Sequence, residues 1–191
     1  MPTPGTMSLI IASVIILLCT VVVMVTALAL FLALVGNVMT GVPFVPAPSA
    51  VLKELIELCP LTPLSVFYDL GCGDGRFVFA MARRYPDARC VGVEKAPLPS
   101  LLAYLRSRLS PTPNVHIRYG DFAQVPLADA THVFLYLFPA LMDRLLPKLE
   151  AELKPGARVV SCDFTFSSRA PDRVIPLGPG THPHRLYVYT F

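Results

Sequence analysis

The stretch VFYDLGCGDG, residues 66–75, decides the fold prediction. Its first half is rich in apolar and aromatic residues and predicts a buried strand. Its second half is a glycine loop, and the segment from Arg76 to about Arg84 predicts a helix behind it. Glycines let a ligand approach the backbone closely, and the N-terminus of the following helix is a polar, hydrogen-bonding end. The stretch therefore predicts a ligand-binding loop at the carboxyl end of a strand.

Strand and helix patterns alternate outward from this loop. Strands alternating with helices at this spacing predict an α/β fold, Rossmann-like and doubly wound, with a mostly parallel seven-stranded sheet and a terminal antiparallel hairpin. The predicted strands are 66–70, 90–94, 115–119, 131–137 and 157–163, the hairpin is 173–177 with 184–191, and the predicted helices include 76–84, 101–109 and 139–153.

The N-terminal segment predicts one transmembrane helix in front of this domain. Leu9–Val35 contains only three polar side chains, and no charged residue occurs before Lys53. A helix of this length rises about 40 Å, more than the roughly 30 Å of a bilayer hydrocarbon core. A cleaved signal peptide would have a basic start and an apolar stretch of only about 7–15 residues. We expect an anchor over 1–36, a proline- and glycine-rich linker over 37–49 and a catalytic domain over 50–191.

The distribution of charged residues and cysteines predicts the location of the protein and the partners that it lacks. All lysines and arginines follow the anchor, which favours a single-pass protein with its catalytic domain in the cytoplasm. The membrane would be a bacterial inner membrane, or a mitochondrial membrane in a eukaryote. Five scattered cysteines form no zinc-type pair, and the net charge of +3 includes no basic run. We therefore predict neither a metal nor a nucleic-acid partner.

Carboxylates around the glycine loop indicate the kind of cofactor. Asp69 and Asp74 would repel the pyrophosphate of a dinucleotide but suit a ligand that carries an ammonium and a sulfonium. Glu94 ends the next strand, 25 residues after Asp69, where an acidic side chain binds ribose hydroxyls. The segment 120–122, Gly-Asp-Phe, adds a carboxylate and a ring where an adenine would lie.

Four ordered motifs resemble those of class I S-adenosylmethionine-dependent methyltransferases. They are DLGCGDG at 69–75, Glu94, Gly-Asp at 120–121 and LKPG at 153–156, and the resemblance covers about residues 64–165. It implies that the loop holds the methionine end of S-adenosyl-L-methionine, that Glu94 binds its ribose and that residues 121–122 flank its adenine. The predicted cofactor site comprises Asp69, Gly71, Cys72, Gly73, Asp74, Gly75, Glu94, Lys95, Asp121 and Phe122.

A narrower resemblance points to a particular group of methyltransferases. The anchor, the VPAPS linker at 45–49, LYLFP at 135–139 and GARVVSCDF at 156–164 are similar to membrane-associated protein-lysine methyltransferases. That group includes the enzymes for the ATP synthase c subunit and the adenine nucleotide translocase, together with bacterial relatives. The resemblance implies protein-lysine N-methylation of a membrane protein substrate, with Leu9–Val35 in the lipid bilayer.

The acceptor site is predicted at the end of the fourth strand. Many methyltransferases that modify base amines carry [DN]PP[YF] there, whereas this chain has YLFP at 136–139. Aromatic walls suit the aliphatic stem of a lysine. The predicted catalytic residues are Tyr136 and Phe138 as walls, with Asp163 as an orienting carboxylate. The alternatives are a core role for the two rings, a small-molecule or lipid methyltransferase, and a non-catalytic cofactor-binding module.

Overall fold

The computed structural model describes residues 4–40, 49–177 and 184–191. It has an N-terminal helix, followed by an α/β domain in which helices and strands alternate. The helices are α1 (Pro4–Thr40), α2 (Ser49–Leu58), α3 (Arg76–Arg84), α4 (Pro97–Leu109) and α5 (Pro139–Glu152). The strands are β1 (Val66–Leu70), β2 (Arg89–Glu94), β3 (Val115–Tyr119), β4 (His132–Leu135), β5 (Arg158–Cys162), β6 (Arg173–Leu177) and β7 (His184–Thr190).

The described strands form one seven-stranded sheet in the order β3-β2-β1-β4-β5-β7-β6. The strands β1 to β5 pair in parallel, and β7 lies antiparallel between β5 and β6. The predicted fold is thereby confirmed, including the terminal hairpin. The strand order reverses between β1 and β4, and such a switch point opens a crevice at the carboxyl ends of the strands. Both predicted sites lie at this edge.

The sheet is covered by helices on both faces. On one face, Leu55 of α2 and Met81 of α3 pack with Phe67 of β1. On the other face, Leu145 of α5 packs with Tyr68, the next residue of β1. Successive side chains of a strand point to opposite faces, so this alternation along β1 divides the core into two layers. The buried sheet then holds the carboxyl ends of its strands in fixed positions.

Two strands end earlier than the sequence predicts, and both ends lie at the crevice. The predicted fourth strand, 131–137, stops at Leu135, and residues 136–138 form a connection to α5. The predicted fifth strand, 157–163, stops at Cys162 because Asp163 has a left-handed backbone, with φ at 62°. Residues 136–138 lie beyond the end of β4, whereas Asp163 still donates its N–H to the carbonyl of Arg185 on β7 at 2.8 Å.

The helix α1 is long and apolar enough to cross a bilayer. The candidate span, Gly5–Leu32, has 28 residues, and none of its most apolar window is buried inside the protein. The hydroxyls of Thr20 and Thr26 donate to carbonyls of the preceding turn, as suits an apolar surrounding. The helix continues to Thr40, beyond the boundary at residue 36 that the sequence suggests, and residues 41–48 of the expected linker lie outside the described residues.

Candidate active site

The glycine loop turns sharply between β1 and α3. Gly71, Gly73 and Gly75 have φ of 84°, 57° and 80°, which an L-residue rarely adopts. The backbone N–H groups of Gly71 and Cys72 donate to the carbonyl of Val93 on β2, at 2.8 and 3.0 Å. The loop is therefore fixed against the neighbouring strand, with its backbone at the crevice.

Asp69 is the most perturbed carboxyl group at this loop. Its side chain is 3% exposed, and its Oδ2 atom has no hydrogen-bond partner in the described part of the chain. Burial, with the nearby charges of Glu94 and Asp74, raises the pKa of Asp69 to about 8, although the Val78 backbone donates to it. A buried carboxylate oxygen without a partner fits a cationic ligand, because a positive charge would favour its ionised form.

Glu94, the last residue of β2, is hydrogen-bonded to the glycine loop. Its carboxylate accepts hydrogen bonds from the backbone N–H groups of Gly73 at 2.8 Å, Lys95 at 2.8 Å and Ala96 at 2.7 Å. Of these three hydrogen bonds, Oε2 accepts only the one from Gly73. A second lone pair of Oε2 can therefore accept a hydrogen bond from a ribose hydroxyl. Glu94 thus links the glycine loop to the start of α4.

Asp74 lies beside the loop but is paired with arginines. Its carboxylate lies 3.1 Å from Nε of Arg76 and 3.3 Å from a guanidinium nitrogen of Arg106. Burial opposes ionisation, but the hydrogen bonds and charge of Arg76 outweigh it, and the pKa of Asp74 is lowered. The sequence suggests two uncompensated carboxylates, Asp69 and Asp74. In the structure the carboxylate of Asp74 is paired with Arg76 and Arg106, whereas Oδ2 of Asp69 has no partner among the described residues.

The predicted adenine-flanking residues follow β3. Nζ of Lys95 donates to Asp121 at 3.0 Å and connects the ends of β2 and β3. Asp121 also accepts the N–H of Ala123 and opens a short 3-10 turn, Phe122–Gln124, that the sequence did not predict. Burial opposes ionisation of Asp121, yet the Ala123 and Lys95 hydrogen bonds lower its pKa.

Three half-buried rings meet where β4 and β5 end. The ring centroids of Tyr136 and Phe164 lie 6.2 Å apart, and those of Phe138 and Phe164 lie 5.5 Å apart. We call Tyr136, Phe138 and Phe164 the aromatic cluster. Phe164 is absent from the predicted site residues, and its position directly after Asp163 was the available signal.

Asp163 is the acidic residue next to this cluster, directly before Phe164. Its carboxylate accepts Nδ1–H of His184 at 2.7 Å and the N–H of Arg185 at 3.0 Å. Burial and the Asp163 charge raise the pKa of Tyr136 to about 12, so the hydroxyl stays protonated. His184, the first residue of β7, was not predicted as a site residue.

Cys162 lies beside this pair, and its ligand atom is within 4.8 Å of those of Asp163 and His184. Burial raises the pKa of the Cys162 thiol. Both oxygens of Asp163 already accept hydrogen bonds. His182, which forms an HxH sequence with His184, lies outside the described residues.

Leu137 connects the aromatic cluster to the glycine loop. A Cβ atom added at Gly71 would lie 2.9 Å from Cδ2 of Leu137. The segment that carries Tyr136 and Phe138 therefore packs directly against the first turn of the loop. The glycine loop and the aromatic cluster are therefore neighbours, joined by the segment that contains Leu137.

The chain is similar in sequence to known methyltransferases. The family model for the ANTKMT methyltransferase domain matches residues 69–173. A protein-lysine N-methyltransferase of Saccharolobus islandicus is 36% identical over 150 residues, covering 78% of this chain and 92% of the relative. The lysine N-methyltransferase of the ATP synthase c subunit from Xenopus laevis is 31% identical over 73% of this chain, which spans 61% of that relative's length.

A solved structure shares the fold and contains the demethylated product of the cofactor. An RNA methyltransferase from Salinibacter ruber, in complex with S-adenosyl-L-homocysteine, superposes with a TM-score of 0.70. It is 37% identical and covers 76% of this chain and 93% of its own. The order of the motifs, the sheet and these matches agree. The chain is a class I S-adenosylmethionine-dependent methyltransferase and belongs to the ANTKMT methyltransferase domain family.

Proposed function

We propose that this chain is a protein-lysine N-methyltransferase whose acceptor lysine enters the aromatic cluster. The observation that carries the proposal is the continuity of this cluster with the glycine loop through Leu137, with Asp163 at its polar end. Two relatives are named as lysine N-methyltransferases. The rings would pack along the aliphatic stem of a lysine, and the carboxylate would attract its ammonium group.

The proposed cofactor contacts follow from the charges of the loop. Asp69 would pair with the cationic methionine end, and Glu94 would accept a ribose hydroxyl through Oε2. Asp121, held by Lys95, and Phe122 would lie along the adenine. Gly71, Gly73 and Gly75 would let the backbone approach the ligand, while Cys72 fills the loop beside Gly92.

The acceptor amine must be neutral before it reacts. S-adenosylmethionine supplies a methyl group bonded to a sulfonium. The amine lone pair forms the new N–C bond as the S–C bond breaks, which leaves a neutral thioether. Transfer of the lysine to a half-buried aromatic site favours loss of its proton. Asp163 binds Nδ1–H of His184, so a neutral His184 has Nε2 as its proton acceptor. We assign proton removal to His184, oriented by Asp163.

A membrane-associated protein is the proposed substrate. The apolar span of α1 would keep the domain at a bilayer, and the Xenopus relative is named for a component of ATP synthase. Residues 41–48, between α1 and α2, can extend to at most about 29 Å. Such a short tether raises the effective concentration of the active site toward partners in the same membrane.

Methyl transfer to fractionated cell material tests the acceptor class. Membranes and RNA from cells that lack this protein are incubated with the enzyme and methyl-labelled cofactor, and protein, RNA and lipid are then separated. We expect label in protein, recovered as methyl-lysine after hydrolysis. Label in RNA would instead extend the activity named for the Salinibacter ruber protein to this chain, and label in lipid would identify a lipid methyltransferase.

Substitutions at the cluster test the location of the acceptor. Tyr136→Ala removes a wall, and we expect kcat to fall at least about tenfold while cofactor affinity stays within about twofold. Tyr136→Phe keeps the ring and should retain more activity. His184→Gln should shift the pH profile of kcat, whereas a purely structural role would lower activity equally at all pH values. Normal transfer by Tyr136→Ala would assign that ring to the core.

A further inference from the structure

The helix α4 exposes an apolar face although it belongs to the folded domain. Leu101, Leu102 and Leu105 are 45%, 47% and 44% exposed, and Leu109 is 85% exposed. By contrast, Ala103 is fully buried against the domain. Exposed leucines gathered on one side of a surface helix indicate a contact with another apolar phase. We call Leu101, Leu102, Leu105 and Leu109 the α4 surface.

Positive charge borders the α4 surface. The helix contains Arg106 and Arg108 and no acidic residue. The Arg108 guanidinium lies 5.3 Å from the ring centroid of Tyr104, and its Nε donates to the Tyr104 hydroxyl at 3.1 Å. Arg83 of α3 reaches Ser110 at the end of α4. An aromatic ring with arginines beside exposed leucines is the composition of helices that lie in a membrane interface.

The helix α1 packs against α4. Among the α1 side chains whose exposure is described, Ala29, Leu32 and Val35 are the half-buried ones, and they recur at every third residue along one side. Leu32 is also the last residue of the span. The contact therefore places α4 at the depth where α1 leaves the hydrocarbon core.

We propose that the α4 surface docks on the lipid bilayer and orients the catalytic domain. Its leucines would enter the boundary between headgroups and acyl chains, and Arg83 and Arg108 would bind anionic headgroups. The lipid is favoured over a protein partner because the surface is continuous with the membrane-spanning helix. The α4 helix begins at Pro97, three residues after Glu94, so docking would also fix the crevice relative to the membrane.

Lipid-borne quenching of a site-attached fluorophore measures this contact in the full-length protein. Cys19 is the exposed cysteine and is replaced by alanine, whereas Cys59, Cys72, Cys90 and Cys162 are buried. Burial also raises the pKa of these four thiols, which slows their labelling. A fluorophore is then attached at Leu105→Cys. The matched control is Glu150→Cys on α5, which covers the opposite face of the sheet and has an exposed side chain.

Both proteins are placed in nanodiscs, one copy per disc, with phosphatidylcholine and a quencher on the acyl chain. We expect quenching several-fold stronger at position 105 than at position 150. Addition of phosphatidylglycerol should increase the difference, and Arg108→Glu should reverse that increase. Equal quenching at the two positions would overturn the proposal. In discs that hold two copies, shielding of position 105 from the quencher that is absent with one copy would also overturn it, because a second protein would then cover the surface.

A hydrogen-exchange measurement on the unsubstituted protein provides an independent check. Slower exchange in Pro97–Leu109 in anionic nanodiscs than in detergent would support docking, and unchanged exchange there would contradict it. Neither measurement requires methyl transfer. The docking proposal and the proposed acceptor can therefore fail separately.

Discussion

The pH dependence of cofactor binding should report the ionisation of Asp69. Burial and the nearby charge of Glu94 raise the pKa of this carboxyl to about 8, so most free protein is protonated there at pH 6 to 7. A bound sulfonium and ammonium would favour the ionised form. Binding should therefore release a proton, and affinity for S-adenosylmethionine should rise with pH in this range.

The size of the effect follows from the pKa. With a pKa of about 8, roughly 1% of the free protein carries ionised Asp69 at pH 6 and roughly 10% at pH 7. Affinity should then increase about tenfold over this one pH unit, which is about 1.4 kcal/mol. The α-amino group of the cofactor titrates near pH 7.7–8.0 in ordinary peptides, so measurement below pH 7 keeps its charge nearly constant.

Isothermal titration calorimetry measures both the affinity and the proton release, the latter from buffers with different ionisation enthalpies. Asp69→Asn should bind with nearly the same affinity at pH 6 and pH 7 and release no proton. Asp121→Asn is the matched control, because the pKa of Asp121 is lowered and this carboxylate does not titrate in the range. A wild-type affinity without pH dependence, or an unchanged dependence in Asp69→Asn, would refute this account of the site.

Two further predictions test the loop and the anchor. Gly71→Ala should lower the free energy of unfolding by about 1–3 kcal/mol in thermal denaturation, because φ is 84° and the new Cβ would meet Leu137. Gly156→Ala is the control, because Gly156 has a φ of 89° but its added Cβ would meet no atom within 4 Å. An equal loss of unfolding free energy in both variants would show that the contact with Leu137 contributes nothing. Full-length protein should remain in membranes after alkaline carbonate extraction, with Gly5–Leu32 present in its intact mass; a shortened mass would identify a cleaved signal peptide.

Much of the sheet could be predicted because local and global signals agree. The run 66–70 is apolar, is followed by glycines and then by a helix pattern, and each signal points to the same βα unit. The strands at 115–119 and 173–177 also have the predicted ends. Their flanking turn residues mark the ends of the periodic pattern directly.

The fourth strand shows where sequence reasoning fails. The apolar run continues through Leu137, so its periodicity gives no reason to stop at Leu135. The end of β4 is set by tertiary packing, since Leu137 turns toward Gly71 and Pro139 begins α5. Such long-range contacts leave no local pattern for a sequence argument to detect.

Parts of the site could not be predicted from the sequence either, because they depend on contacts between residues that are far apart in the chain. Asp74 meets Arg106 from α4, 32 positions away, and Asp163 meets His184 from β7. Sequence could identify the carboxylates but could not identify their partners. This distinction changes the electrostatics, because Asp74 is compensated by two arginines whereas Oδ2 of Asp69 has no partner among the described residues. The carboxylate that best fits a cation is the one that the sheet buries.

The short connection after β4 contacts both the glycine loop and Phe164. Leu137 packs toward the loop, while its neighbours Tyr136 and Phe138 both meet Phe164. Side chains of an extended segment alternate between two sides, so a three-residue connection can present one residue to the glycine loop and two to Phe164. A shift of this segment by one residue would exchange the two sides. The pairing of β4 with β1 and β5 therefore fixes where this connection begins.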